Sequence, residues 1–393
     1  MRGNYWVNKA REQNIPPVEG GAPLPRGGVD VAIIGGGAAG ACLYNALEHT
    51  NVSACLVETS LDVGCGATGR GAGIITWNNE LATSEETRRF SLQNNRMLRS
   101  AINNLNFDCD FAGNGHIYMT EYHKHAEFMV SDNSLILHQE GETMVIANAD
   151  EMLSAVSSDK FGGGVILPSA YTVNPYKLAH ALTLIEKSPA RRVLTDAHVE
   201  SVNKSGNNFK VKIRDRGTIT ARKVVYCTGA RTKDFVPELD GFLNLSVMHS
   251  VATKPLNDKY YYAFPPHSMS NGHRWFRLSN GRMIMGDSRE FNDDFEESSE
   301  LSFRKTQSVL YDTFPLIESE VEFGWSGLTC IAKDNIPLIG EIPNRTNEFV
   351  FTGLGSNPFC FAFLGGIVMA DHLISGHTKI ENAEIFSLKG RIK

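Results

Sequence analysis

The sequence lacks an apolar run long enough to cross a membrane. Its most apolar stretches, residues 31–44 and 359–370, are shorter than the ~20 consecutive apolar residues that a membrane-spanning helix needs. Residues 1–28 are polar, rich in Pro and Gly and without the apolar core of a secretory signal. We therefore expect a cytoplasmic protein that does not enter the membrane, with residues 1–28 as an arm on its surface.

An excess of positive charge is also missing. The 393 residues carry 38 Lys and Arg against 44 Asp and Glu, which gives a net charge of −6. Proteins that bind the phosphate backbone of nucleic acids usually present a basic face. Nucleic acid is therefore not an expected partner.

Cysteine patterns and metal-ligand patterns are absent as well. The seven cysteines are an odd number and form no C-x-x-C pair, which argues against a disulfide framework and against a zinc site. Among the twelve histidines, His123 and His125 form an isolated H-x-H that we interpret as a surface feature. With no Ser-His-Asp arrangement either, we expect a cofactor to supply the chemistry.

Glycine is in excess, with 36 residues, or about 9% against a usual ~7%. The first concentration follows the apolar segment VDVAIIGG, which predicts a buried strand. Gly35, Gly37 and Gly40 then form G-x-G-x-x-G, a helix is expected to about His49, and a second buried strand ends at Glu58. This strand–turn–helix–strand context is typical of dinucleotide binding.

Each residue of this motif has a physical role. The first glycine permits a tight turn, the second lets a pyrophosphate approach the backbone, and the third lets helix and strand pack closely. The helix N-terminus offers N–H groups and a partial positive charge to the diphosphate. Glu58 follows Gly40 by 58 − 40 = 18 residues, the position of an acid that accepts hydrogen bonds from ribose hydroxyls. A carboxylate there disfavours NADP.

Two further glycine-rich regions favour FAD over NAD. The segment 63–75 (VGCGATGRGAGII) forms an exposed-backbone loop for which a simple NAD dehydrogenase has no obvious use. Near the end of the chain, a helix from Pro358 to about Ile374 stops at Gly376 and could direct its N-terminus at a flavin. The alternative is a helix whose glycines serve packing alone. Thr228 and Gly229 follow another predicted strand and could contribute a buried turn to the same site. The alternative is that they are an ordinary strand end.

Together these segments identify a family resemblance. The sequence resembles the D-amino-acid-oxidase-like flavoproteins, the group that includes glycine oxidase, sarcosine oxidase and γ-glutamylputrescine oxidase. The resemblance covers nearly the whole chain and is carried by the order and spacing of its motifs: NYW, IIGGGAAG, LVE, GATGRGAGII, VNPYKLAHAL, HVESVNK, VVYCTGA, RWFRLSNGRMIMGDS, WSGLTCIAKDNIPLIG and GLGSNPF.

The resemblance implies the fold. It is an α/β fold in which a Rossmann-like FAD-binding domain is interleaved with a mixed-sheet α+β substrate domain. The FAD-binding domain would comprise residues 29–82, 172–236 and 329–393, and the substrate domain residues 83–171 and 237–328.

The resemblance also implies the FAD-binding residues. Glu58 and Thr59 would hold the ribose, and the backbone of Val199 would pair with adenine. Residues 67–74, called the flavin loop below, would line the ring and the ribityl chain. The full set is Gly35, Gly37, Ala38, Ala39 and Gly40 at the pyrophosphate; Ala67, Thr68, Gly69, Arg70, Ala72, Gly73 and Ile74 in the flavin loop; Thr228 and Gly229 at a strand end; and Leu354, Gly355, Ser356, Asn357, Pro358, Phe359 and Cys360 at the pyrimidine edge.

The sequence departs from the family pattern at three positions. Sarcosine-oxidase relatives attach FAD through a cysteine that aligns with Gly327, and Cys330 is displaced from it, so we expect non-covalent FAD. The lysine that those relatives use for oxygen activation aligns with Ile284. Glycine oxidase uses oxygen without that lysine, so the acceptor is either oxygen or another molecule. The arginine that binds the substrate carboxylate in glycine oxidase aligns with Thr329.

The expected reaction is oxidation of the C–N bond of an amine or amino acid to an imine, by hydride transfer to flavin N5. Candidate catalytic residues are Tyr262, Trp275 and Arg277. The last two are two residues apart on a predicted strand and therefore share a face, where they could meet an anion and cover an amine. The alternative is that Arg277 faces outward and pairs with an acidic side chain, with Trp275 packed against that pair. Other functional hypotheses are a dehydrogenase or demethylase with another electron acceptor, and a non-catalytic flavin-binding protein.

Overall fold

The computed structural model describes residues 3–15, 18, 23–48, 50–113, 115–184, 190–256, 266–268, 274–290 and 300–392. The helices are α1 (Tyr5–Glu12), α2 (Ala38–Ala46), α3 (Glu85–Asn104), α4 (His123–Asp132), α5 (Ser134–Glu140), α6 (Ala149–Val156), α7 (Pro175–Ala181), α8 (Glu300–Thr313) and α9 (Phe359–Ser375). The strands are β1 (Val29–Ile34), β2 (Ala54–Val57), β3 (Ile74–Ile75), β4 (His116–Thr120), β5 (Val145–Asn148), β6 (Gly163–Leu167), β7 (Tyr171–Thr172), β8 (Arg191–Leu194), β9 (Val199–Ser205), β10 (Asn208–Ile213), β11 (Gly217–Tyr226), β12 (Leu243–Thr253), β13 (Pro266–Ser268), β14 (Arg274–Ser279), β15 (Arg282–Glu290), β16 (Val321–Ala332), β17 (Leu338–Glu341) and β18 (Glu348–Thr352).

The largest sheet has the order β17-β18-β11-β1-β2-β8, and β10 and β9 extend from β11. Strands β8, β2, β1, β11 and β18 run parallel, with β1 in the centre. Helices α2 and α9 pack together over this sheet. A Cβ on Gly366 of α9 would lie 2.7 Å from the backbone of Cys42 in α2, so glycine permits the close contact. The expected α/β fold with a Rossmann-like unit is confirmed.

Two smaller sheets lie in the regions that the sequence assigned to the substrate domain. One has the order β14-β15-β12-β16 and is antiparallel; the other has the order β13-β4-β6-β5 and combines parallel with antiparallel pairs. The exact domain limits stay a prediction, and the limit drawn between residues 328 and 329 falls within β16.

Local signals give several helix ends correctly. The Asn174 side chain accepts hydrogen bonds from the first turn of α7, and Pro175 is its first residue. Helix α7 ends at Ala181. Helix α9 ends at Gly376, which has the left-handed φ of 79° that glycine tolerates. Within the described ranges, no helix combines the length and apolarity needed to cross a membrane.

The N-terminal arm differs from its prediction as a surface segment. Tyr5–Glu12 is a helix, and Trp6 has a relative exposure of 0%. Tyr5, Trp6 and Ala10 pack between the flavin loop and β14–β16, while Arg11 and Glu12 of α1 are exposed. The average composition of the arm is polar, but its aromatic side chains Tyr5 and Trp6 are buried, and their burial holds the arm in place.

Candidate functional site

The turn between β1 and α2 has a geometry that requires its glycines. Gly35 has a φ of +106°, and a Cβ there would lie 2.4 Å from the carbonyl oxygen of Cys227. A Cβ on Gly40 would lie 1.9 Å from the carbonyl oxygen of Gly35, so a side chain would force the helix away from the strand. At Gly37 a Cβ would meet the Thr68 hydroxyl at 3.1 Å and no other atom of the described residues within 4 Å. The backbone at Gly37 therefore stays accessible to a ligand.

The N-terminus of α2 opens onto this turn. Its first residues, Ala38 and Ala39, carry no charge, and Gly37 supplies no side-chain cap. The backbone N–H of Ala38 donates to the Thr68 hydroxyl of the flavin loop at 2.9 Å. Flavin loop and helix N-terminus thus meet at one point, where a diphosphate would find N–H donors and a favourable helix dipole.

Glu58 lies directly beside the glycine turn. Its side chain is 8% exposed, and it accepts hydrogen bonds from the backbone N–H groups of Gly36 and Ser60, both at 2.7 Å. A carboxylate offers about four lone-pair sites, so capacity for ribose hydroxyls remains. The Thr59 hydroxyl lies 3.2 Å from His198 Nδ1, next to Val199. The structure therefore brings the predicted ribose and adenine positions together.

Thr228 and Gly229 follow the end of β11, next to the glycine turn. The N–H of Cys227 donates to the carbonyl of Ile34 at 2.8 Å, which joins the two strand ends. Gly229 has a φ of 55°, and its carbonyl accepts a hydrogen bond from the Thr352 hydroxyl at 3.2 Å. The carboxyl ends of β1, β11 and β18 therefore meet at one edge of the sheet.

The flavin loop contacts both β16 and the turn that precedes α9. A Cβ on Gly327 of β16 would lie 3.0 Å from Cβ of Arg70, and a Cβ on Gly71 would lie 2.9 Å from the carbonyl oxygen of Ser356. The thiol of Cys360, in the first turn of α9, lies 3.7 Å from the carbonyl oxygen of Ile74. The predicted ring-lining and pyrimidine-edge positions are therefore neighbours.

Residues 354–360 form the turn into α9. Gly355 has a φ of +63°, and Pro358 occupies the N-cap. The backbone N–H and the hydroxyl of Ser356 both donate to Glu80 Oε1, at 2.7 and 2.8 Å. Sequence reasoning missed Glu80. Its one signal in the sequence is that it follows Ile74 of the flavin loop by six residues (80 − 74 = 6). In a single sequence, that spacing does not distinguish Glu80 from an acidic residue on the surface.

The structure shows the surroundings of Gly327, Ile284 and Thr329, the three positions at which the sequence departs from the family pattern. Gly327 lies against the flavin loop without a thiol, and the Cys330 thiol lies 3.5 Å from the Thr352 hydroxyl, where burial raises its pKa. Ile284 has 0% exposure in an apolar cluster with Trp6 and Trp275. The Thr329 hydroxyl donates to the backbone carbonyl of Ser246 at 3.2 Å.

Of the candidate catalytic residues, Trp275 and Arg277 share the face of β14 that meets α1 and the flavin loop. Trp275 Nε1 donates to Met248 Sδ at 3.2 Å. Arg277 is 2% exposed, and its Nη1 donates to the carbonyl oxygens of Ala72 and Val173, both at 2.8 Å. Burial lowers the pKa of its guanidinium to about 10. Tyr262 lies outside the described residues.

Comparison with known proteins assigns the family. A family model described as FAD dependent oxidoreductase matches residues 30–372. The chain belongs to this family. Its cofactor is FAD, and it is an oxidoreductase. Among the described residues, no group of three or more His, Cys, Asp or Glu side chains is placed to hold a metal ion.

Three matches to similar proteins are distant in sequence but cover at least 97% of the matched protein's own length. The chain is 23% identical over 382 residues to a glycine oxidase of Geobacillus kaustophilus, covering 92% of this chain and 97% of the relative. The crystal structure of glycine oxidase from that organism matches with a TM-score of 0.81 at 21% identity, covering 93% and 99% of the two chains. An L-proline dehydrogenase from P. horikoshii matches with a TM-score of 0.79 at 18% identity, covering 93% and 97%.

The geometry fits FAD. The turn at Gly35 and Gly40 tolerates no side chain, Gly37 leaves its backbone accessible, and Glu58 borders the turn. The flavin loop and the start of α9 adjoin the same edge of the large sheet. The binding roles of the individual residues remain predictions.

Proposed function

We propose that the protein oxidises the C–N bond of an amine or amino acid to an imine and that molecular oxygen accepts the electrons. FAD, when bound, supplies the acceptor for a hydride equivalent. The substrate loses that hydride from carbon and a proton from nitrogen, and water hydrolyses the resulting imine. Oxygen takes up two electrons and two protons and becomes hydrogen peroxide. Family membership and the similarity to glycine oxidase support this proposal.

The chain itself contributes positioning and exclusion of water. Trp6, Trp275 and Ile284 are buried in one cluster beside Ala72 and Ile74 of the flavin loop. Packing of this kind keeps water out from behind the flavin loop and holds the loop, and with it the flavin, in one position for hydride transfer. A general base or nucleophile is not required if the substrate nitrogen arrives deprotonated.

The proposed substrate class rests on how the site could hold a substrate carboxylate. A buried carboxylate needs a fixed cation, preferably a bidentate arginine. Arg277 Nη1 is engaged with backbone carbonyls, and the Thr329 hydroxyl, which cannot neutralise an anion, donates to Ser246. This is the observation that carries the substrate assignment. We favour an extended or N-substituted amine over a free α-amino acid such as glycine or D-alanine.

A second candidate is a dehydrogenase or demethylase with another electron acceptor. The observation that favours it is Ile284, an apolar and fully buried side chain at the position of the lysine that sarcosine-oxidase relatives use with oxygen. The fold similarity to an L-proline dehydrogenase is compatible with either acceptor.

Product analysis under air distinguishes the candidates. Holoenzyme is mixed with an amine that reduces its flavin, and hydrogen peroxide and carbonyl product are measured with and without an artificial electron acceptor. An oxidase forms the two products in equal amounts without the added acceptor. Turnover that needs the added acceptor identifies the dehydrogenase. Absence of carbonyl product for every amine and amino acid tested contradicts both candidates and supports a non-catalytic flavoprotein.

A further inference from the structure

Five consecutive carbonyl groups of the flavin loop, at residues 69–73, accept hydrogen bonds from side chains outside the loop. These donors come from three separate parts of the fold: the arm, β14 and β16. The bonds are Asn4 Nδ2 to Gly69 (2.7 Å), Trp325 Nε1 to Arg70 (3.0 Å), Trp6 Nε1 to Gly71 (3.0 Å), and Arg277 Nη1 to Ala72 (2.8 Å) and Gly73 (3.3 Å).

Fixing these carbonyls also fixes the amides of the loop. In a trans peptide unit the C=O and the following N–H point in opposite directions. The chain has no cis peptide bond among its described residues. With the carbonyls of Gly71, Ala72 and Gly73 held toward the arm and β14, the N–H groups that follow them point to the opposite side of the loop. The family resemblance implies that residues 67–74 line the flavin ring and the ribityl chain, and this opposite side is the one from which their N–H groups could reach the flavin.

Trp6 and Arg277 form the centre of this arrangement. The guanidinium of Arg277 lies 4.7 Å from the ring centroid of Trp6. The two side chains are 0% and 2% exposed. Burying a guanidinium is unfavourable unless hydrogen bonds and a π-face replace water. Here the loop carbonyls and the indole replace it, so the cation and the loop conformation depend on each other.

We propose that Trp6 and Arg277 are positioning residues that hold the flavin loop in its FAD-binding conformation before the cofactor arrives. The arm therefore completes the cofactor site, although it lies outside residues 30–372 that match the family model. The inference rests on the FAD site and not on the identity of the substrate. It also gives Arg277 a role other than anchoring a substrate carboxylate.

The first test compares two conservative changes in α1. Trp6→Phe keeps an aromatic ring beneath Arg277 but removes the donor to Gly71. Tyr5→Phe is the control, because the Tyr5 hydroxyl bonds to Ser279 of β14 and not to the loop. FAD affinity is measured by titrating each apoprotein with FAD. We expect the dissociation constant to rise about five- to tenfold for Trp6→Phe, the loss of one hydrogen bond, and less than about twofold for Tyr5→Phe.

Hydrogen exchange separates a local role from general destabilisation. Peptides that cover residues 67–75 of the Trp6→Phe apoprotein should exchange faster than wild type, while peptides from β4 and β6 should not. Asn4→Asp provides a second variant if Trp6→Phe folds poorly. Aspartate still caps α1 but cannot donate to Gly69, so FAD affinity should fall here too.

Arg277→Lys distinguishes positioning from substrate binding. Lysine keeps the charge, but its side chain is shorter than that of arginine and lacks the planar guanidinium that lies over Trp6 while Nη1 donates to the carbonyls of Ala72 and Val173. Positioning predicts about tenfold weaker FAD binding and an unchanged KM at saturating FAD. A raised KM for substrates with a carboxylate, with FAD affinity unchanged, overturns the proposal. Equal effects of Trp6→Phe and Tyr5→Phe on FAD affinity overturn it as well.

Discussion

Glu80 accepts two hydrogen bonds from Ser356, one from its backbone N–H and one from its hydroxyl, just before α9 begins. A carboxylate is thereby fixed at the helix N-terminus that the sequence assigns to the pyrimidine edge of the flavin. A helix N-terminus favours negative charge on a nearby ligand. Glu80 offsets part of that effect, because like charges repel across a partly buried site.

The first prediction is that Glu80→Gln raises the reduction potential of the bound flavin. Removing a fixed negative charge lowers the free energy of the electron-rich reduced ring relative to that of the oxidised ring. An interaction of about 1 kcal/mol corresponds to ~20 mV for a two-electron couple, so a rise of at least ~20 mV is expected. Potentiometry with a reference dye measures it. Ser356→Ala keeps the charge and should shift the potential less; an unchanged potential in Glu80→Gln contradicts the assignment of this edge.

The second prediction uses two glycines with opposite surroundings. A Cβ at Gly40 would lie 1.9 Å from the carbonyl oxygen of Gly35, whereas a Cβ at Gly66 would have no atom within 4 Å. Gly40→Ala should destabilise the protein by roughly 1–3 kcal/mol and abolish tight FAD binding, since the helix must shift. Gly66→Ala should change neither property. Urea unfolding and FAD titration measure both, and a stable FAD-binding Gly40→Ala protein contradicts the account.

The third prediction concerns Asp62, which links the arm to α7. Its Oδ2 accepts from the Tyr176 hydroxyl at 2.6 Å, and its Oδ1 accepts from the Val18 and Val63 amides at 3.2 and 2.8 Å. Burial alone raises the pKa of Asp62, but the His180 ring, whose Nδ1 lies 3.6 Å from Oδ1, and the hydrogen bond from Tyr176 outweigh it and lower the pKa below 3.8.

A lowered carboxyl pKa stabilises the folded state above the unfolded pKa of about 3.9, and this contribution is lost as pH falls through the folded value. Asp62→Asn should therefore reduce the free energy of unfolding by roughly 1 kcal/mol at pH 5–7, and the difference from wild type should shrink below about pH 4. Denaturant unfolding of the apoproteins tests this. Asp240→Asn, at a side chain 72% exposed, is the control. A difference that is constant down to pH 3 would contradict the network.

The fourth prediction is that FAD is bound without a covalent link. Gly327, at the position of the attachment cysteine, has no thiol, and the Cys330 thiol faces the Thr352 hydroxyl in a buried site where its pKa is raised. Acid precipitation should leave the protein colourless and release unmodified FAD into the supernatant. Yellow colour that stays in the washed precipitate would identify a covalent flavin.

The sequence predicts the parts of the site that depend on local geometry. Gly40 is required by its contact with Gly35 within one turn, Gly35 itself has a φ of +106°, and Asn174 and Gly376 mark helix ends through bonds a few residues away. Alternation along β14 correctly put Trp275 and Arg277 on one face. These relationships are encoded by neighbours in sequence, so pattern and spacing reveal them.

The parts that sequence reasoning missed depend on contacts between distant segments. Trp6 is buried because Gly71 and Arg277 meet it, 65 and 271 residues further along the chain (71 − 6 = 65; 277 − 6 = 271). Nothing in the polar sequence around Trp6 indicates those partners. Glu80 likewise acquires its position from Ser356, and the loop carbonyls that accept hydrogen bonds from Arg277 cannot be placed from sequence.

Anaerobic stopped-flow reduction tests the central claim most directly. Holoenzyme is mixed with an extended or N-substituted amine, with an unsubstituted amine, and with glycine or D-alanine, and flavin absorbance is followed for each. The account predicts that the flavin is reduced and that the extended or N-substituted amine reduces it faster than glycine or D-alanine. The amine assignment would be contradicted if glycine or D-alanine reduced the flavin fastest and if Arg277→Ala abolished that reduction even with excess FAD. Arg277 would then be the carboxylate anchor.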